Sequence, residues 1–425
     1  MADTIFALSS GRPPAAISVI RVSGTRAHEA GILLAGSLPE PRGVAVRELR
    51  HPESAALLDE AVVLRFDSPA SSTGEDIVEF QCHGGRAIVD AMLAVLADIE
   101  GLRAALPGEF TRRAFENGRI DLTEAEGLAD LIEAETESQR KAALALAEGG
   151  LRKQIANWQE WLLALSARAE RAIDYDEDDD AMDETLLRDC AALEIELRQW
   201  LDRPRAEPLK DGVRVVVAGP PNAGKSSLIN AIVGDERVIV TDVPGTTRDH
   251  IEVPLALGGV PVRLTDTAGL REAEDEAEAI GVARATRLID AADVLVWLGD
   301  PSQAPHHART LLVHAKADLP GRCDAPHGSI AVSARTGKGL SSLMSDVVAL
   351  ARSVLPAEGA VALNRRQAAL VAEAARELSA AAASRDFVLL AEHLRAARQA
   401  FDRLTGRAGV EEVLDALFGR FCLGK

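Results

Sequence analysis

Val213-Arg214-Val215-Val216-Val217-Ala218-Gly219-Pro220-Pro221-Asn222-Ala223-Gly224-Lys225-Ser226 is the stretch that decides the fold. Its first six residues form a β-branched run that reads as a strand buried on both faces. The next eight match the phosphate-binding pattern GxxxxGKS in full. Each residue type has a chemical reason. The glycines let backbone N–H groups wrap phosphate oxygens, and the helix opening at Ser227-Leu228-Ile229-Asn230 adds its dipole. Ala223 and Gly224 lie inside the cradle, Lys225 reaches the β- and γ-phosphates, and Ser226 offers a hydroxyl to Mg²⁺.

Downstream, Thr241, Asp242, Val243, Pro244, Gly245, Thr246 and Thr247 fall where a first switch loop is expected, with Thr247 placed to reach Mg²⁺ and sense the γ-phosphate. Segments 251–257 and 260–265 read as a hairpin closed by Gly258-Gly259. The hairpin delivers Asp266-Thr267-Ala268-Gly269, a DxxG element whose acid supports Mg²⁺ and whose glycine amide senses the γ-phosphate. Ala315-Lys316-Ala317-Asp318 stands where GTPases carry Asn-Lys-x-Asp. Asp318 can accept from the guanine N1–H and exocyclic amine, while the Lys316 stem covers the base. Ser333, Ala334 and Arg335 fit the remaining base-contacting loop. Alanine at 315 drops a supporting hydrogen bond, a loss of about 0.5–1.5 kcal/mol. In combination the motifs imply a Ras-like P-loop GTPase domain.

Leu270 occupies the position where many small GTPases place a water-orienting glutamine. The stretch 271–278 offers four glutamates and an aspartate instead, and spacing does not choose among them. Arg248 and Arg271 are candidate arginine fingers. Asn222, beside a Gly-Thr-Thr switch, offers oxygen to a monovalent cation that would do the same electrostatic work.

The chain has 425 residues, enough for about three domains, and 47% hydrophobic and 27% charged residues, ordinary for a globular protein. It shows no apolar run of membrane-spanning length and no basic signal-peptide start, so a cytoplasmic protein without membrane association is expected. Cys82, Cys190, Cys323 and Cys422 have no CxxC spacing. The histidines, including His83 and the pair His306-His307, lack metal-ligand spacing and read as structural or surface residues. A net charge of −19 excludes broad adhesion to nucleic acid. The charge is uneven: residues 1–119 carry a net of −4, 120–210 a net of −12 and 211–425 a net of −3. The run Asp176-Glu177-Asp178-Asp179-Asp180 reads as a solvated loop. An RNA contact would then rest on local basic positions such as Arg112, Arg113 and Arg119.

Texture divides the chain further. Residues 1–119 mix strand-like runs with Gly and Pro and read as an α+β domain. From Leu122 the pattern is helical, with Thr123-x-x-Glu126 as a capping box, until Pro204 and Pro208 break it. Helical texture returns from Asn364. The expected architecture is α/β multidomain: an N-terminal α+β domain over 1–119, a discontinuous helical domain over 120–210 and 357–425, and a GTPase domain over 211–356 inserted into it.

Thr73-Gly74-Glu75-Asp76, His83-Gly84-Gly85, Pro107-Gly108-Glu109-Phe110, the segment from Asp266 to Arg271 and the terminal Phe421-Cys422-Leu423-Gly424-Lys425 resemble the MnmE (TrmE) family of tRNA uridine modification GTPases. Era-like GTPases, regulatory switches in RNA and ribosome assembly and the alternative reading, share only the G motifs. The resemblance implies K⁺-dependent GTP hydrolysis driven by pairing of G domains in a homodimer. It also implies coupling to modification at C5 of the tRNA wobble uridine, with an FAD-containing MnmG-type partner and a 5-formyl- or 5,10-methylene-tetrahydrofolate donor. Residue by residue it implies Asn222, Thr241, Val243 and Thr246 for K⁺, Ser226 and Thr247 for Mg²⁺, and Glu278 for the hydrolytic water. Arg21, Glu79, Arg119 and Lys425 match folate-contacting positions, Arg119 standing where a lysine is expected. Without the resemblance, Arg21 and Glu79 read as a cross-strand pair. Cys422 reads either as a reactive thiol in the modification chemistry or as a small apolar anchor for the tail.

Overall fold

The computed structural model describes residues 3–174, 184–235, 238–240, 252–267, 285–322, 324–408, 411–421 and 424. These fall into two compact units, 1–129 with 402–425, and 130–401. The acidic run 176–180 lies outside the described residues.

The first unit is built on a six-stranded sheet. Its strands are β1 (Thr4–Leu8), β2 (Ile17–Ser23), β3 (Val44–Arg50), β4 (Leu57–Phe66), β5 (Ile77–His83) and β6 (Leu102–Ala104). The order is β3-β4-β5-β2-β1-β6, antiparallel except where β6 runs parallel to β1. Side-chain alternation sorts the two faces. Phe6, Ile20, Val22, Val78 and Phe80 point into a core with helices Ala27–Ala35 and Arg86–Asp98. Ile5 and Ala7 point the other way and meet Phe110 of the helix Glu109–Glu116.

A buried polar network holds that helix. Arg113, only 7% exposed, donates to both oxygens of Glu75 at 3.1 and 3.0 Å and to Glu109 Oε1 at 3.1 Å. Ser23 Oγ donates to Glu75 Oε2 at 2.8 Å, and Arg103 forks onto Glu109 at 2.6 and 2.8 Å. The sequence expectation that Arg113 serves as an RNA contact is therefore corrected: its guanidinium is consumed inside the unit. Removing one partner strands a buried charge, so Arg113→Ala should destabilise the first unit by about 3–5 kcal/mol. An unchanged first transition in a thermal melt would reject that expectation. Burial opposes ionisation of Glu109, but hydrogen bonds from Arg103, the Leu106 N–H and Arg113 offset it and bring the carboxyl down to about 2. Its stabilisation is complete above the ordinary glutamate range and is lost as pH falls towards 2.

The helix Leu122–Glu133 begins where the sequence pattern turns helical, but its cap is not the one expected. Asp121 Oδ1 accepts from the Glu124 N–H at 2.9 Å, and Glu124 Oε2 accepts from the Asp121 N–H at 2.8 Å. The capping box is thus Asp121/Glu124 rather than Thr123/Glu126. Thr123 is buried, and its hydroxyl donates to Asp121 at 2.7 Å.

The second unit contains a seven-stranded sheet: β7 (Val213–Ala218), β8 (Ile239–Val240), β9 (Glu252–Leu257), β10 (Val260–Asp266), β11 (Val294–Trp297), β12 (Thr310–Ala315) and β13 (Ile330–Val332). The order β13-β12-β11-β7-β10-β9-β8 is parallel through β10 and ends in antiparallel β9 and β8. Five of the six β7 residues are buried, which is why it sits centrally with β11 and β10 on either side. The β9–β10 turn is held from two sides. The Ser138 N–H of helix Glu137–Ala147 donates to Gly259 O at 3.3 Å, and Arg352 of helix Leu340–Val354 donates to Gly258 O at 3.2 Å.

Helices from both sides of this sheet segment pack together in the same unit. Trp158 of helix Gly150–Asp174 meets Trp200 of helix Glu184–Leu201 edge-on at 5.4 Å and stacks on Phe401 of helix Phe387–Thr405 at 5.9 Å. His393 and Glu377, 2.8 Å apart, tie that last helix to Arg365–Ala383. Among the described residues no helix is long and apolar enough to cross a membrane.

Candidate functional site

The phosphate cradle begins where β7 ends. Gly219 has φ +151°, and a Cβ there would lie 2.4 Å from the Leu298 carbonyl oxygen, so no other residue fits. Asn222 adopts φ +57°, a left-handed conformation that asparagine tolerates. Gly224 then caps the helix Lys225–Val233. Lys225, 7% exposed as a residue, donates through its ammonium to Gly219 O and Pro220 O, both at 2.9 Å. It is thereby held over the loop at which phosphate oxygens would arrive.

Parallel pairing of β10 with β7 sets Asp266 opposite Val217. The Ser226 hydroxyl donates to Asp266 Oδ2 at 2.7 Å. Two hard oxygen ligands so placed at a helix start fit Mg²⁺. Thr267 turns back, its N–H and Oγ1 both bonding Val217 O, at 3.3 and 3.0 Å.

The base pocket forms at the other end of the loop. A cavity of about 230 Å³ is lined by Gly224, Ser227, Ala315, Lys316, Asp318 and Ala334, among others. Lys316 Nζ donates to Asn222 O at 2.7 Å, fastening the base loop to the phosphate loop. Asp318 accepts from Ser333 Oγ at 2.7 Å and from Arg335 Nε at 2.9 Å. The Ser333 hydrogen bond, aided by the Arg335 charge, holds the carboxyl below its usual range. Ala315 ends β12 opposite Val332, and its methyl replaces an amide in the pocket wall. Asn222, Ala223, Gly224, Lys225, Ser226, Ser227, Asp266, Thr267, Lys316, Asp318, Ser333, Ala334 and Arg335 are thus brought together along one end of the sheet. Thr241 to Thr247, Ala268, Gly269 and Glu278 lie outside the described residues.

The second set of candidates is in the first unit. Arg21 and Glu79 are register partners on β2 and β5, and Arg21 Nε donates to Glu79 Oε1 at 2.7 Å. The Arg21 guanidinium also lies over the Phe110 ring at 5.6 Å. Arg119 packs its stem against Gly74, beside the Asn117 amide that donates to Thr73 O at 2.8 Å. Gly424 docks onto the end of β1, where a Cβ would meet Leu8 O at 2.0 Å. Its neighbours Cys422 and Lys425 lie outside the described residues, as does Cys323. Cys82 and Cys190 are core residues whose thiols burial pushes up to about 12 and about 11. His307 lies within bonding distance of Ala292 O and Arg309 O and is structural, as expected. The sequence reading missed the Glu75-Arg113-Glu109 network; the Glu109/Arg113 spacing of four on one helix was its only signal.

Fold and nucleotide site together define a P-loop GTP hydrolase. The model for the MnmE helical domain matches residues 122–422, and that for the GTP-binding protein TrmE N-terminus matches 4–119. The tRNA modification GTPase MnmE of Erythrobacter litoralis is 52% identical over 100% of both chains, and that of Novosphingobium aromaticivorans 51% over 100% of both. Among solved structures, the G domain of the T. maritima FeoB iron transporter covers 33% of this chain and 98% of its own at 25% identity. Its TM-score is 0.24, too low to bear on the fold. The chain belongs to the MnmE (TrmE) family.

Proposed function

We propose that this protein hydrolyses GTP to drive modification at C5 of the wobble uridine in certain tRNAs, acting in the cytoplasm. The relationship to curated tRNA modification GTPases along the whole chain carries this reading. In it the functional domains are 1–119, 120–210 with 357–425, and 211–356. The protein works as a homodimer with an FAD-dependent MnmG-type partner. Folate-binding and phosphate-binding residues then serve one reaction, the first supplying carbon and the second timing it.

Lys225 and the loop N–H groups bind the β- and γ-phosphates. Ser226, Asp266 and Thr247 would hold Mg²⁺, which when bound neutralises charge on the transferring phosphoryl group. Asn222, Thr241, Val243 and Thr246 would hold K⁺ in the place an arginine finger takes elsewhere. Glu278 orients the attacking water, the role Leu270 is unable to fill. Hydrolysis should therefore be much faster in K⁺ than in Na⁺, and Glu278→Ala should nearly stop turnover while sparing GTP binding. Equal rates in the two salts, or turnover retained in the variant, would each discard the corresponding role.

Arg21, Glu79 and Arg119 would bind 5-formyl- or 5,10-methylene-tetrahydrofolate with Lys425 of the tail. The docking of Gly424 on Leu8, next to Ala7, the register partner of Arg21, supports that grouping. Cys422 stands two residues before Gly424, where a thiol can either anchor the tail or act on the uridine or carbon donor. The tRNA contact falls to exposed positions such as Arg119. Arg112 is engaged by Glu116 at 3.0 Å and Asp415 at 2.9 Å. Mass spectrometry of wobble uridines in a deletion strain tests the whole reading, since unchanged modification refutes it.

A further inference from the structure

A cavity of the second unit lies apart from the nucleotide-site residues, between the helix Glu137–Ala147, the linker 206–212 and the β9–β10 hairpin, and measures about 490 Å³. That volume is in the range of small-molecule sites and well above a packing defect. Its floor is apolar: Ala142, Ala143, Leu146, Leu209, Leu255 and Val262. Its rim is charged and unbalanced. Lys210 is spent on Asp130, and Arg263 lies 3.5 Å from Glu252. Glu133, Glu135 and Asp211 also line the opening, and no side-chain hydrogen bond or ion pair is made by any of the three among the described residues.

We infer that this cavity is a binding site for a small organic cation, an apolar body carrying one ammonium or guanidinium group. An apolar floor rewards burial of the body, and three unneutralised carboxylates at the mouth select the sign of the charge. A neutral apolar ligand leaves the rim unpaired, and an anion is repelled by it. The concave shape favours a single compact molecule over an extended peptide. None of these residues contributes to the phosphate cradle, the base pocket or the folate candidates. The assignment therefore stands independently of the tRNA chemistry.

The test is a fluorescence titration of the full-length protein, loaded with GDP and Mg²⁺, with dansylcadaverine as the probe. Its matched analogues are a dansyl group on a pentyl chain with no charge and on the same chain ending in carboxylate. The expected order is cation tightest, neutral intermediate and carboxylate weakest, with about five-fold or more between the first two. The double variant Glu135→Gln, Asp211→Asn should bring the cation to the affinity of the neutral probe without altering the latter. Both substitutions are at exposed positions, so folding is not at stake. Ala143→Phe, which fills the floor, should abolish binding of all three while GTP hydrolysis continues. Equal affinity for the three probes, or cation binding unmoved by the double variant, overturns the proposal.

Discussion

Lys225→Ala should lower the rate of GTP hydrolysis at saturating nucleotide by about 10²- to 10³-fold, the usual consequence of deleting one preorganised donor from developing transition-state charge. Lys225 is a buried residue whose ammonium is already held over the loop by Gly219 O and Pro220 O. It therefore needs little reorganisation to meet phosphate, and little water competes for it. Lys225→Met retains most of the side-chain volume and should behave like alanine, which separates loss of charge from loss of packing. Single-turnover hydrolysis measures the effect. A rate within ten-fold of the parent in both variants would show that this loop is not where hydrolysis occurs.

Asp318→Asn should weaken GTP binding by about a hundred-fold or more and shift preference towards xanthosine triphosphate. The argument rests on hydrogen-bond direction. Ser333 and Arg335 donate to the two carboxylate oxygens and fix the group as an acceptor. Guanine presents two N–H donors to it, so an amide in its place sets donor against donor. Xanthine presents a carbonyl at C2, which the amide can satisfy. With alanine at 315 no asparagine shares the work of base recognition, and the dependence on Asp318 is correspondingly larger. Fluorescent-nucleotide titration gives both affinities; GTP affinity changed by less than ten-fold would move guanine reading elsewhere.

The nucleotide site was legible in the sequence because each of its parts is local. A loop of eight residues, an acid at a strand end and an xKxD tetrad need only the parallel sheet to meet, and the buried run Val213–Ala218 announces that sheet. The first unit was less legible. Arg113 looks like a surface base from its neighbours Arg112 and Arg119, yet Glu75, 38 residues upstream, takes it inside. The cap at Asp121 rather than Thr123 has the same origin, since both residue types cap helices and only burial of Thr123 decides between them. Arg21 and Glu79 are the converse case. Their cross-strand pairing, the reading the residues gave without the resemblance, is present.

The grip on the Gly258-Gly259 turn has a mechanical consequence. β9 begins at Glu252, a few residues in sequence after the candidate switch segment ends at Thr247, and β10 ends in Asp266, so in the proposed reading both phosphate-sensing stretches adjoin one end of a single hairpin. The opposite end is pinned by Ser138 and Arg352. A rod loaded at one tip and clamped at the other turns small displacements into torque at the clamp, and here half of the clamp, Ser138, is in the first turn of a helix outside the GTPase segment, while the other half, Arg352, closes a helix within it. In the proposed reading, a displacement at the phosphates would therefore reach the helical part of the unit by way of Gly258-Gly259.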